Sequence, residues 1–361
     1  FGSSHSGSRT PSLRAGLATS TEQPLLPSMP PPVRPARAAL AAAVLLASNA
    51  GVCGYQVART GSGARSFRSI VVPDHMIAAP REAVSSLPAN LSEGELLAYV
   101  PKRPVTADLF LFLPGSWSEC GQYSELLETI GAQMYSVCLP YDNRNAIAIL
   151  CGSDGGCYPN LRLEAYNGSF GHVGKNNIES RLASALAFLS LRDGANWSSY
   201  LGPSAIPVWS RIRVAGHSQG AGHAALIGYY RVLARVVQFS GVCDVSDWTQ
   251  RLGPPKTPAD RFYGLASRWD VACSTFRAQV PSWKAEGAVS LGSETLNLSI
   301  GANLSSVSLG GSHTVISDLV PPGCDMTLTP ECFTAAHDST AKNYPGGSPY
   351  ARGVWQALCG V

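Results

Sequence analysis

The chain has 361 residues, of which 45% are hydrophobic and 14% are charged, and its formal net charge is +3. This composition can fill a large core. The length fits either two average domains or one α/β domain of about 250–300 residues behind a leader. Residues 1–50 hold four Arg and one Glu, so 23 basic and 23 acidic residues remain in the body. Nucleic acids and anionic membranes require clustered Lys and Arg, and the neutral body therefore argues against both as partners.

The first 50 residues have the composition of a leader. Arg34 and Arg37 precede an apolar run over residues 38–47, which is too short to cross a bilayer but suits a signal peptide. Ser48 and Ala50 supply small residues for cleavage after position 50. We therefore predict a leader over 1–50, a linker over 51–66, one catalytic domain over 67–361, and a secreted or endomembrane protein with no stable membrane span once the leader is removed. Plastid targeting and a signal anchor stay open, because the stretch before the apolar run is long and poor in acids.

The ten cysteines include no CxxC pair and no zinc-finger spacing, so we expect no metal site. They are either buried thiols or disulfides, and the leader favours disulfides. The predicted local pairs are Cys151 with Cys157 and Cys324 with Cys332. Five Asn-x-Ser sequons predict a glycoprotein, at Asn90, Asn167, Asn196, Asn297 and Asn303.

Short apolar runs alternate with helical patterns along the chain. Residues 107–114 form an apolar run that ends at Pro-Gly and predicts a buried strand. A helix is predicted over 123–133, a second strand over 134–139, an irregular segment over 141–175, and a helix over 176–191.

The alternation continues in the second half of the chain. Residues 212–215 predict a strand that leads into a helix from about Gly220, and further strands are predicted over 236–242, 262–266 and 312–319. Such alternation is typical of an α/β fold with a mostly parallel sheet and helices on both faces.

Residues 216–220, Gly-His-Ser-Gln-Gly, match the pattern G-x-S-x-G between a predicted strand and a predicted helix. In this motif the chain turns abruptly, so that the serine lies above the sheet edge in a strained conformation. The two glycines avoid collisions with the neighbouring strand and helix. A hydroxyl at a helix N-terminus also lies where the helix dipole favours negative charge. The motif predicts Ser218 as a nucleophile.

GHSQG, together with an earlier strand that ends in Pro-Gly-Ser-Trp, resembles the α/β-hydrolase superfamily, in particular its serine hydrolases of the esterase and lipase kind. The chain is also similar to a poorly characterised branch of that superfamily. This second likeness lies in the GHSQGAGHA elbow, the helix over 178–182, and the insert Cys151…Cys157 with Arg162, Glu164 and Gly168. The resemblance covers roughly residues 105–358. It implies the α/β-hydrolase fold and serine chemistry, and says nothing about the substrate.

A serine nucleophile needs a histidine base and an acid that orients the base, and in this fold they follow the serine in the order acid, histidine. Asp270 follows the strand over 262–266 and is the predicted acid, with Asp244, after the preceding strand, as the alternative. Either aspartate can instead be an ordinary loop cap.

Two histidines follow both aspartates. His313 lies at the start of the last predicted strand, which is the wrong edge of the sheet, whereas His337 follows that strand and a loop. His337 is therefore the predicted base and His313 the alternative. His217 and His223 lie on the elbow and are expected to pack around it.

The oxyanion of an acyl-transfer reaction needs two backbone N–H donors, which we predict to be those of Gln219 and Ser116. Trp117 and Tyr141 are candidates to line the substrate pocket. The sequence thus predicts a cofactor-free serine hydrolase that forms an acyl-enzyme, with a small-molecule or lipid carboxylic ester as substrate. Acyl transfer to an alcohol, and a catalytically silent binding protein with this fold, are the alternatives.

Overall fold

The computed structural model describes residues 66–77, 94–244, 247–273, 279–289, 295–298, 307–321, 323–324, 329–345, 347–348, 350 and 353–361. All of them fall within one compact unit, Gly54–Val361. The predicted leader and all but the last residue of the predicted linker lie outside the described residues, as do the sequons at Asn90 and Asn303.

A nine-stranded sheet organises this unit, with the strand order β1-β2-β4-β3-β5-β6-β7-β9-β8. Among the described strands, β2 alone runs in the opposite direction to the others, so its pairings with β1 and β4 are antiparallel and the remaining pairings are parallel. The strands are β1 (Phe67–Val72), β2 (Leu96–Pro101), β3 (Leu109–Leu113), β4 (Tyr135–Cys138), β5 (Ile212–His217), β6 (Arg235–Phe239), β7 (Phe262–Ser267), β8 (Leu296–Leu298) and β9 (Thr314–Ser317).

Helices cover both faces of the sheet, which explains why the central strand β3 is apolar and buried at every position. Alternate residues of β3 belong to two separate hydrophobic clusters, one on each face. The described helices are α1 (Ser124–Gly131), α2 (Ile147–Cys151), α3 (Cys157–Asn167), α4 (Ile178–Arg192), α5 (Gln219–Tyr230), α6 (Trp248–Arg251), α7 (Gln279–Ala285), α8 (Pro330–Asp338) and α9 (Val354–Cys359). None of the described helices has the length and apolar character needed to cross a bilayer.

The predicted α/β class, with its mostly parallel sheet, is confirmed. The irregular segment predicted over 141–175 is wrong, because it contains α2 and α3. An apolar stripe does not mark α3, since its buried side chains are two tyrosines, Arg162 and Glu164. The helix ends at Gly168, which is left-handed with φ 70°.

Four disulfides join cysteines in the part of the chain that the structure describes. Both predicted local pairs are bonded, Cys151 to Cys157 and Cys324 to Cys332. The other two join Cys120 to Cys138 and Cys243 to Cys273. Among the described cysteines, Cys359 is free and buried.

Candidate active site

Ser218 lies in a sharp turn between β5 and α5, at the carboxyl end of a central strand. Its backbone has φ 54° and ψ −117°, a region that residues with a Cβ rarely adopt. A Cβ on Gly216 would overlap the backbone of Gly220, and one on Gly220 would overlap the carbonyl of Leu113. Gly216 is therefore needed for the turn to close against the start of α5, and Gly220 for it to pack against β3. Ser218 stays partly exposed.

Asp270 and His337, the predicted acid and base, are in contact. Asp270 follows β7 and His337 lies near the end of α8, which follows β9. The Nδ1 atom of His337 lies 2.9 Å from Oδ2 of Asp270. The carboxylate is fully buried, whereas the imidazole is 10% exposed. Because Nδ1 donates to the carboxylate, Nε2 of His337 is the nitrogen left for a reacting group.

His337, the predicted base, lies beside the elbow. The rings of His337 and His217, the residue before Ser218, have centroids 4.8 Å apart. Among the described residues the Ser218 hydroxyl has no hydrogen-bond partner. Catalytic hydrogen bonds are often long in a free enzyme and close when substrate binds.

The two predicted oxyanion residues meet across the site. Oγ of Ser116 donates to Oε1 of Gln219 over 2.8 Å. The loop that carries Ser116 is clamped by Asn143, whose Nδ2 donates to the carbonyls of Gly115 (2.6 Å) and Ser118 (2.8 Å). The backbone N–H groups of Ser116 and Gln219 donate to no acceptor in the part of the chain that the structure describes.

Asp244, the alternative acid, is engaged elsewhere. Arg162 donates to both of its carboxylate oxygens, from Nε over 2.7 Å and from Nη2. Nε1 of Trp248 donates to the same carboxylate over 2.6 Å. Nη1 of Arg162 also donates to the carbonyl of Gln219 over 2.9 Å. This buried ion pair fastens α3 to the start of α5 and places Asp244 in a structural role.

His313, the alternative base, lies just before β9 at the amino end of that strand. Its Nδ1 is 3.1 Å from the carbonyl oxygen of Phe262, and its ring stacks on Tyr263 at a centroid distance of 4.3 Å. The carboxyl ends of the parallel strands form the opposite edge, where Ser218 and Asp270 lie. His313 is therefore not brought together with them.

His217 joins the loop of residues 114–118, which carries Ser116 and is here called the oxyanion loop, to the predicted base His337. Its Nε2 lies 3.1 Å from the carbonyl of His337, and its Nδ1 lies 3.1 Å from the hydroxyl of Tyr123. A carbonyl only accepts, so Nε2 carries the proton and Nδ1 accepts from Tyr123, which itself accepts from the N–H of Gly115 over 3.0 Å. Burial, and next the nearby His337, hold the pKa of His217 well below its usual range. A neutral ring with one fixed tautomer results.

His223 and Tyr141 pack beneath the elbow. The Tyr141 hydroxyl donates to the carbonyl of Pro114 over 2.8 Å, and its ring is edge-on to His223. Tyr141 is buried, so it does not line an open pocket, whereas Trp117 is 62% exposed. Neither ring nitrogen of His223 has a partner among the described residues. Burial, followed by the charge of Arg162, lowers the pKa of His223 well below its usual range.

Several residues of this arrangement were not predicted. Asn143 and Tyr123 hold the oxyanion loop, and Ser240 donates from Oγ to the His337 carbonyl over 2.9 Å. No local pattern marks such residues, because they act through contacts with distant parts of the chain.

Two groups of side chains near the base have metal-ligand spacing. Cys243, Cys273 and His337 place their ligand atoms within 4.8 Å of one another, as do His217, His337 and Asp338. In the first group the two cysteines form a disulfide, which offers no thiolate ligand. In the second, both nitrogens of His217 are already hydrogen-bonded. Neither set is available to a metal in this arrangement.

A scan against models of protein families and a search of curated proteins both returned no match for this chain.

Proposed function

We propose that the protein is a serine hydrolase of the α/β-hydrolase fold that cleaves carboxylic esters through an acyl-enzyme. The observation that carries this proposal is the combination of a strained, partly exposed Ser218 at a strand-to-helix turn with a buried Asp270–His337 pair at the same sheet edge. A turn with only a structural role would not require a strained serine beside an oriented imidazole.

In the proposed reaction His337 accepts the Ser218 proton at Nε2 as the serine oxygen attacks the ester carbonyl. Asp270 holds the ring and stabilises the imidazolium that forms. The N–H groups of Gln219 and Ser116 receive the oxyanion, the alcohol departs with the proton from His337, and water then repeats the sequence to release the acid.

Four exposed apolar side chains lie on segments that carry or contact residues of the candidate site, and we call them the apolar rim: Trp117, Ile149, Leu150 and Val271. They favour a substrate with an apolar acyl or alcohol group. Trp117 directly follows Ser116 and has φ 55°, so a strained backbone holds a large aromatic ring in solvent. Ile149 and Leu150, on α2, are 72% and 58% exposed. This helix contacts the candidate site, because the N–H of its first residue, Ile147, donates to Oε1 of Gln219 over 2.9 Å. Val271 follows Asp270.

We further propose that the protein works in an oxidising, secretory compartment. Four disulfides are compatible with such a location. Asn196 and Asn297, the acceptor residues of two sequons, are exposed, as N-linked glycosylation requires.

Hydrolysis of p-nitrophenyl esters of increasing acyl length tests the proposal. The wild type should hydrolyse them, and kcat/KM should rise by up to about fourfold for each CH₂ buried against the rim. Ser218→Ala should abolish turnover. Trp117→Ala should flatten the dependence on chain length, whereas Leu191→Ala, which removes an exposed leucine at the end of α4, should leave it unchanged. A wild type that hydrolyses no ester in the series, or full turnover by Ser218→Ala, contradicts the proposal.

A further inference from the structure

The Cys243–Cys273 disulfide lies against the proposed acid and base. Sγ of Cys273 is 3.7 Å from Nδ1 of His337, the nitrogen that faces Asp270. The backbone N–H of Cys273 donates to Oδ1 of Asp270 over 3.2 Å, while His337 uses Oδ2. One residue therefore contacts the carboxylate through its backbone and the imidazole through its sulfur.

The acid loop, residues 268–273, is anchored differently at its two ends. At its start, the N–H of Arg268 donates to the carbonyl of Ser317 over 2.8 Å, and Nε1 of Trp269 donates to that of Asp318 over 3.1 Å. These bonds fix the loop to β9 and the residue after it. At its end, Cys273 is bonded through its sulfur to Cys243.

Cys243 is a rigid anchor, because both of its flanks are held. Ser240 donates its N–H to the carbonyl of Leu265 over 2.9 Å, and its Oγ binds the His337 carbonyl. On the other side, Asp244 is locked in the buried pair with Arg162. The two sulfur atoms of the disulfide lie 3.0 Å and 3.2 Å from the carbonyl oxygen of Ser240.

We infer that the Cys243–Cys273 bridge is a positioning element of the active site, which holds Asp270 against His337. This inference rests on the proposed function and adds a residue pair that acts through the acid. Without the bridge, the end of the acid loop loses its covalent anchor and the imidazole loses the sulfur wall beside Nδ1. The carboxylate then spends less time in the geometry that orients the base.

A double-mutant cycle with ester hydrolysis tests the inference. We expect Cys243→Ala/Cys273→Ala to lower kcat by about 10- to 100-fold with little change in KM, within the range of coupling found between residues in contact. In an Asp270→Asn background, the same two substitutions should lower kcat by less than about threefold, because the carboxylate they position is already gone. Alanine is used because a serine hydroxyl would add a new hydrogen bond beside His337.

Cys120→Ala/Cys138→Ala is the matched control, since it removes another buried bridge that contacts neither Asp270 nor His337. Its effect on kcat should be small and equal in the wild-type and Asp270→Asn backgrounds. Thermal unfolding of every variant separates loss of fold from loss of geometry. An equal loss of kcat in both backgrounds for the Cys243/Cys273 variant, or no loss in the wild-type background, would overturn the inference.

If the double alanine variant does not fold, stepwise reduction of the folded wild type replaces it. A dithiol exchanges with each disulfide to give two protein thiols and its own cyclic disulfide, and iodoacetamide then alkylates the thiols. Activity should fall at the rate at which Cys243, which is partly exposed, becomes alkylated. Loss of activity that instead follows Cys120 or Cys138 would overturn the inference. A wild type without Ser218-dependent activity would overturn the proposed function together with the inference, whereas an active wild type with an additive cycle overturns only the inference.

Discussion

Ser218 combines an unfavourable backbone conformation with partial exposure to solvent. Conformations of this kind cost on the order of 1–3 kcal/mol and persist only where the surroundings impose them. Here the tight packing of the turn imposes it, and Gly216 and Gly220 permit that packing against the start of α5 and against β3. The strain belongs to any residue with a Cβ at this position, whatever its chemistry.

Ser218→Gly should therefore be more stable than Ser218→Ala. Glycine adopts φ 54° and ψ −117° without a steric cost, so the free energy of unfolding should be about 1 kcal/mol higher for the glycine variant, less any gain in unfolded-chain entropy. Urea denaturation of the two variants measures the difference. A glycine variant clearly less stable than the alanine variant would show that the turn is not strained.

Substitution of the two candidate bases should affect kcat very differently. His337→Ala should lower kcat by about 10⁴-fold or more, as loss of a triad member does. His313→Ala should leave a measurable enzyme, since His313 stacks on Tyr263 at the other edge of the sheet. Steady-state kinetics on one ester separates the two, and the reverse pattern would refute the assignment of the base.

His217 should affect turnover without touching substrate. His217→Phe keeps a buried ring but removes the bonds to Tyr123 and to the His337 carbonyl. We expect kcat to fall about 10-fold with KM unchanged, because the base helix and the oxyanion loop lose their common link. His223→Phe is the control, as neither nitrogen of His223 is hydrogen-bonded among the described residues. Equal effects of the two substitutions would leave no positioning role for His217.

At the level of strands and helices, the candidate site lies where β3, β5, β6, β7 and β9 end. A buried ion pair between α3 and the segment after β6 stabilises this region. Arg162 on α3 reaches Asp244 after β6 and the carbonyl of Gln219 at the start of α5. A Cβ on Gly222 would overlap the Arg162 guanidinium, so the small residues of α5 make room for this charge.

Asp244→Asn should lower the free energy of unfolding by about 3–5 kcal/mol, because it leaves the Arg162 charge buried without a counter-ion. The molecules that remain folded should keep most of their kcat. The control is Asp247→Asn, which breaks an exposed pair with Arg251 and should cost less than about 1 kcal/mol. Denaturant unfolding and kinetics on the same samples check both points. If the folded Asp244→Asn variant shows no turnover, then Asp244 is the acid and Asp270 is not.

The strands of the central sheet were predictable because buried parallel strands read as short apolar runs between turn residues. The positions of Asp270 and His337 followed from the order of strands, since Asp270 comes shortly after one predicted strand and His337 follows the last predicted strand and a loop. By contrast, α3 buries Arg162 and Glu164, whose polar groups are satisfied only by residues far along the chain. A prediction from the periodicity of apolar residues treats these charged residues as exposed and therefore misses the helix. The short edge strand β8, with only three residues, offers too little pattern to recognise.

For the molecule as a whole, Glu286 makes stability depend on pH. Its side chain is buried next to β6, where Gln238 donates to it from Nε2 over 2.6 Å. Burial raises the pKa of Glu286 to about 8. The folded state thus keeps a proton that the unfolded state releases near pH 4.5. The stabilising contribution is complete below that pH and is lost as pH rises towards 8.

Glu286→Gln should remove this dependence, because glutamine imitates the protonated acid and never ionises. The variant should match the wild type near pH 5 and become more stable than it by a few kcal/mol near pH 8, since the wild type loses about 1.4 kcal/mol for each pH unit between the unfolded and folded pKa of Glu286. Denaturant unfolding at a series of pH values measures the two curves. Parallel curves would mean that Glu286 is ionised in the folded protein at neutral pH.

Reaction with a fluorophosphonate tests the central claim, that Ser218 is a nucleophile activated by His337 and Asp270. The account predicts that one probe adds to the wild type, that peptide mapping finds it on Ser218, and that Ser218→Ala abolishes the adduct. It also predicts that His337→Ala and Asp270→Asn slow the reaction by orders of magnitude, while His313→Ala does not. Failure of the folded wild type to react, or an adduct that survives Ser218→Ala, would contradict it.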